Sequence, residues 1–131
     1  MTIFSKIIAG TIPAYKIRED ADFIAFLDVF PLVEGHTLVV PKIETDKFFE
    51  LTPELLSRIL VFARPVAQAI EAAFPCNRVG ISVVGLEVPH AHLHLVPINT
   101  ANDLNFTRPK LKISPEQLQL AQESILKHLK S

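Results

Sequence analysis

The apolar residues Ile3, Phe4, Ile7 and Ile8 recur at i, i+1, i+4 and i+5, the stripe of a short amphipathic helix over residues 2–9. Thr2 is placed to cap its first turn and Gly10 to stop it. Two short apolar-rich runs follow at residues 14–19 and 22–29, and the polar stretch Glu19-Asp20-Ala21-Asp22 between them predicts a hairpin. Pro31 and Gly35 mark the next connection, and residues 36–41 (HTLVVP) are β-branched and apolar enough for a central strand. Thr52-Pro53-Glu54 opens a helix with a hydroxyl cap, a proline in the first position and an acid near the positive end of the dipole. It is expected to run to about Ala73, with a kink or break near Arg64 because Pro65 removes a backbone donor and clashes with the preceding turn. Residues 78–84 and 90–97 predict two further strands with Gly85 between them, and residues 99–112 read as polar loop. A last helix starts at the capping box Ser114-Pro115-Glu116-Gln117 and continues through Leu118, Ile125 and Leu129. Strands clustered rather than alternating with helices predict an α+β fold, with an antiparallel sheet of about five strands, a kinked long helix and short terminal helices.

Composition narrows the class. The chain has 131 residues, 49% of them hydrophobic, and fits one domain over residues 1–131 with a core of its own. Thirteen Lys and Arg against 14 Asp and Glu leave a formal charge of −1, which argues against duplex nucleic acid or an anionic membrane as partner. No apolar stretch approaches the roughly 20 residues of a membrane span, and the first residues lack a signal peptide's basic start. With Cys76 as the only cysteine, no intramolecular disulfide can form, and a cytoplasmic, reducing setting is the simplest expectation. The four glycines are not spaced as a P-loop or a dinucleotide fingerprint, so any phosphate must find other donors.

Those donors are suggested by the histidines. Three of five, His90, His92 and His94, fall within five consecutive positions. On a strand they share one face, about 6.6–7 Å apart, while Ala91, Leu93 and Leu95 take the other. Such a row suits an anion, a metal or a phosphoryl group. A histidine-only zinc hydrolase is one reading, since H-x-H on a strand with a third imidazole is a zinc arrangement. Phosphoryl or nucleotidyl transfer is another: a largely neutral imidazole attacks phosphorus while its neighbours hold the oxygens. Partly exposed histidines with no chemistry are the third.

The run His90-Ala91-His92-Leu93-His94-Leu95-Val96 resembles the signature of the histidine-triad (HIT) nucleotide hydrolases and transferases. The likeness extends to Thr2-Ile3-Phe4-Ser5-Lys6-Ile7-Ile8 with Ile12-Pro13-Ala14, to Ala25-Phe26-Leu27-Asp28, to Gly35-His36-Thr37-Leu38-Val39-Val40-Pro41-Lys42 and to Leu51-Thr52-Pro53-Glu54. It thus covers residues 2–97 in order and spacing. The resemblance implies a HIT-like fold, a homodimer, and a purine nucleotide with a substituted α-phosphate as substrate. It implies His92 as the nucleophile, its other ring nitrogen donating to the His90 carbonyl, with the His90 and His36 side chains completing a network behind it. It further implies His94 on the α-phosphate, Asp28 on the ribose hydroxyls, and Ile3, Phe4, Ile7, Phe26 and Val29 as the slot for the base. No cofactor is implied.

The chain departs from that pattern in places. Many relatives carry a Gly-Gln pair before the triad, with the amide near the scissile oxygen; here Gly85 precedes Leu86, which cannot donate. Thr2 and Ser5 stand where some relatives have a zinc-binding C-x-x-C pair, so no structural zinc is expected. Leu86 makes room for a second reading, a nucleotide-binding regulatory module with little catalysis. Glu87 falls near the expected phosphate region, pointing either inward or outward. His128 is expected on the surface of the last helix.

Overall fold

The computed structural model describes residues 1–130. Helix α1 (Ile3–Ile8) is followed by strands β1 (Lys16–Glu19), β2 (Phe23–Leu27) and β3 (Thr37–Pro41). Helix α2 (Pro53–Ala73), strands β4 (Arg78–Ser82) and β5 (Leu93–Ile98) and helix α3 (Pro115–His128) complete the order, with one-turn 3₁₀ helices at Phe48–Glu50 and Ala101–Leu104. The predicted caps form: Thr2, Thr52 and Ser114 each accept from the backbone N–H three residues on. The five strands make one antiparallel sheet in the order β1-β2-β3-β5-β4. Among the described residues no helix is long and apolar enough to cross a membrane.

The sheet is covered on both faces, which is why β2 and β3 are buried at every position instead of alternating. Phe23, Ala25, Leu27, Val39, Leu93 and Leu95 join Ile59, Phe62, Val66 and Ile70 of α2 and Leu118, Ala121 and Ile125 of α3 in the larger core. Ile24, Phe26, Leu38 and Val40 pack against Phe4 and Ile7 of α1 in a smaller one. The period-2 split predicted for the last strand therefore holds, with Leu93 and Leu95 on the helix-covered face.

The alternative of a helix break near Arg64 and the predicted start of the last strand are corrected. Helix α2 runs unbroken through Pro65. Val61, whose carbonyl loses the donor at Pro65, is exposed, and the Arg18 guanidinium braces the same turn by donating to the Phe62 carbonyl at 2.7 Å and stacking 4.5 Å from the Phe62 ring. The last strand begins at Leu93, not His90, so His94 alone of the triad lies within it. The β3–β5 register would put Ala91 opposite Pro41, which has no N–H, and the Pro41 carbonyl is taken by the His90 ring at 2.8 Å. Ala91 donates to the Thr45 carbonyl instead. The chain leaves the ladder at the residues that carry the chemistry.

Gly35 is needed in the connection between β2 and β3. Its φ is +96°, and an added Cβ would stand 2.9 Å from the Phe74 ring.

Candidate active site

Helix α1, the end of β2 and the pair Glu87-Val88 border a cavity of about 520 Å³. Ile3, Phe4, Ile7, Phe26, Asp28 and Val29 all line it, and so does His92. Phe4 is the hinge between slot and triad: its ring lies edge-on to Phe26 at 5.6 Å and to His92 at 4.9 Å. His90, His36 and His94 are buried behind this wall. Glu87 borders the cavity and is exposed to solvent.

Hydrogen-bond partners assign the ring tautomers. His92 Nδ1 donates to the His90 carbonyl at 2.7 Å, so its Nε2 carries a lone pair with no partner among the described residues. The Leu32 N–H donates to His36 Nδ1 at 3.0 Å, which places the His36 proton on Nε2. That proton is donated to His94 Nδ1 at 2.9 Å, leaving the His94 proton on Nε2. One backbone amide therefore orients two imidazoles in series. His92 and His94 stand 4.9 Å apart, centroid to centroid, one with a free lone pair and the other with a free N–H. An unprotonated ring nitrogen and a ring N–H thus belong to neighbouring imidazoles.

His90 is held differently from expectation. Its Nε2 donates to the Pro41 carbonyl and its Nδ1 accepts from the Thr2 hydroxyl at 2.9 Å. Glu44 completes this bracket by accepting from the Thr2 N–H and the Ser5 hydroxyl. His36 bonds His94 and the backbone, not His90, so two separate clamps replace the single network the resemblance implied.

Burial drives the electrostatics. It holds His36 down at about 3, with the Lys110 charge adding to the effect, and it holds His94 down at about 3, with His36 as the next cause. Burial also lowers His92, against the opposing pull of the His90 carbonyl. All three are neutral at physiological pH, as the assigned tautomers require. Asp28 is raised from 3.8 to about 6, first by burial, although the Phe30 N–H donates to it at 2.9 Å.

These donors do not favour a metal. The two ring nitrogens of His90 are both engaged, so the triad cannot converge on one ion. Asp28, His36 and His94 do bring ligand atoms within 4.8 Å of one another. With Nδ1 of His36 taken by an N–H, however, its Nε2 holds a proton and no lone pair.

Sequence reasoning missed one wall. Residues 105–112 fold back over the site: the Leu111 N–H donates to the Pro31 carbonyl, the Phe106 ring packs 4.6 Å from His94, and Lys110 lines the cavity. A lone aromatic within an otherwise polar stretch was the only signal. His128 lies away from the site, its Nδ1 donating to the Ser124 carbonyl of its own helix.

An antiparallel sheet that brings an imidazole lone pair and an imidazole N–H to one end of an apolar slot is the arrangement of the histidine-triad class of α+β proteins. A model of the HIT domain matches residues 9–101, so the chain belongs to the HIT family, in which nucleotide hydrolases and transferases are found. It is 35% identical to adenosine 5'-monophosphoramidase hnt1 of Schizosaccharomyces pombe, with 98% of each chain covered. It is 34% identical to Protein hit of Bacillus subtilis, over 98% of this chain and 94% of that one. A Hit-like protein from Bartonella henselae, described as involved in cell-cycle regulation, superposes with a TM-score of 0.84 at 27% identity, covering 98% of this chain and 96% of that one.

The buried carboxyl yields a prediction with a definite sign. Because the Asp28 pKa is raised on folding, stability falls as pH climbs from 3.8 toward about 6 and the full cost stands above that range. Asp28→Asn should therefore be more stable than the parent by on the order of 1–2 kcal/mol near pH 8. Urea unfolding should show the gap closing near pH 4; an equal gap at both values would refute the assignment.

Proposed function

We propose that this chain hydrolyses, or transfers the nucleotidyl group of, a purine nucleotide with a substituted α-phosphate, such as a phosphoramidate, an adenylate conjugate or a dinucleoside polyphosphate. The observation that carries the reading is the His92–His90 carbonyl bond, which leaves a lone pair at the wall of an apolar slot. His92 Nε2 attacks the α-phosphorus in line and the bond to the leaving group breaks. The His94 N–H stabilises the oxygen charge that develops. Water then attacks the nucleotidyl-histidine, releasing the nucleoside monophosphate and restoring the lone pair. The base lies between Ile3, Phe4, Ile7, Phe26 and Val29, and Asp28 accepts from the ribose hydroxyls.

Among these substrates a phosphoramidate fits best. Leu86 is exposed and offers no proton, so the nitrogen of a phosphoramidate takes from solvent the proton it needs to depart as an amine. The relative named as an adenosine 5'-monophosphoramidase supports the same choice. Leu86 also favours the second reading, in which the site binds a nucleotide and turns it over negligibly.

The two readings part on one experiment. Brief mixing with adenosine phosphoramidate should give the intact mass of a nucleotidyl adduct, and His92→Asn should lose the adduct and at least about 10³-fold in turnover while still binding AMP. AMP binding without an adduct selects the regulatory module; full activity in His92→Asn contradicts both the nucleophile and the mechanism.

The site is further proposed to work in a homodimer. Strand β4 is an open edge with Ile81 half-exposed, and α2, which packs beside it, exposes Leu60 and Val61. Sedimentation at micromolar concentration should return twice the chain mass; a monomer would end this part of the proposal.

A further inference from the structure

The charge inventory of the cavity is unbalanced for the ligand proposed above. Its acids are Asp28 and Glu87, and Lys110 is the one basic side chain in its wall. The imidazoles do not make up the deficit. His36 and His94 each use Nδ1 as an acceptor and would lose a buried hydrogen bond on becoming cations, and His92 needs its Nε2 lone pair to react. A phosphate entering this slot meets a wall that contains Asp28, Glu87 and the neutral His92 ring, with the neutral His36 and His94 rings buried behind it. Among the described residues that line the cavity, Lys110 carries the only formal positive charge.

Lys110 is built into that position. Its Nζ donates to the Phe106 carbonyl at 3.1 Å and stands 5.1 Å from the Phe106 ring, whose edge packs against His94. The next residue, Leu111, is tied to the Pro31 carbonyl, and Arg108 reaches the Leu32 carbonyl at 3.4 Å. The wall that carries the ammonium is thus pinned to the same connection, residues 28–36, that carries Asp28 and sets the His36 tautomer. No carboxylate lies within salt-bridge distance of Lys110 among the described residues. Two of its three protons remain uncommitted.

We propose that Lys110 is the phosphate-binding cation of this site, donating to a non-bridging α-phosphate oxygen and offsetting the charge of Asp28 and Glu87. This rests on the nucleotide reading above and adds to it a residue from the polar segment that follows the sheet. A neutral triad then supplies the nucleophile and the directional donor, and Lys110 supplies the charge. The role requires discrimination between a nucleotide and its nucleoside, which a lysine that merely tethers the loop would not confer.

Calorimetric titration of the full chain with AMP and with adenosine tests it. Lys110→Gln should weaken AMP about 10- to 100-fold and leave adenosine within about twofold, with Lys110→Arg recovering most of the AMP affinity. Added salt should erode the preference for AMP in the parent and have little effect on Lys110→Gln. If Lys110→Gln weakens both ligands equally, the residue only holds the loop, and if it weakens neither, it does not touch the phosphate; either result overturns the proposal. A parent chain that binds neither ligand would instead remove the nucleotide reading, and this inference with it. Binding without turnover would remove only the catalytic reading.

Discussion

A backbone amide donating to an imidazole is the constraint on which the site depends. The Leu32 N–H bonds His36 Nδ1, and that single choice sends a proton through His36 Nε2 toward His94 Nδ1 and leaves an N–H on the far side of His94. A backbone carbonyl makes the opposite choice for His92, drawing its proton to Nδ1 and freeing Nε2. Two chemically identical side chains, 4.9 Å apart, come to present a lone pair and an N–H because the main chain offers one an acceptor and relays a proton to the other. Neither role survives rotation of its ring by half a turn.

The fold exists around that constraint in a concrete sense. Burying four imidazoles is costly unless each finds partners: His36, His90 and His92 find backbone groups supplied where regular structure fails, and His94 finds the His36 ring. Pro41 has no N–H with which to continue the ladder, so its carbonyl is free for His90, and the extended segment at His90–His92 can turn a carbonyl toward His92. The connection after β2 curls tightly enough, with Gly35 at positive φ, for Leu32 to reach back to His36. Asp28, at the start of that connection, is kept partly desolvated, and its raised pKa is the destabilising part of the same arrangement.

Much of this was legible in the sequence. The caps at Thr2, Thr52 and Ser114, the α1 stripe and the alternation through Leu93 and Leu95 rest on local chemistry, and local chemistry survives folding. The residues of the slot converge because the stripe on α1 and the outward face of β2 must cover each other. What was not legible depends on contacts between distant segments. Pro65 breaks an isolated helix, but Arg18, far away in sequence, braces the turn. His36 was expected on the side of His90 and instead pairs with His94, because the β3–β5 register places His94 opposite Leu38, two residues from His36. Lys110 and Phe106 gave no periodic signal, since a wall made of loop has no period.

The central claim is a statement about where four protons sit, and nitrogen NMR of the histidine rings reads it directly. In protein labelled at histidine, the His92 proton should be found on Nδ1 and those of His36 and His94 on Nε2, with all three rings neutral near pH 7. His90, bonded to the Pro41 carbonyl, should carry its proton on Nε2. A His94 proton on Nδ1, or a His92 proton on Nε2, would contradict the relay and leave the site without its nucleophile or its donor.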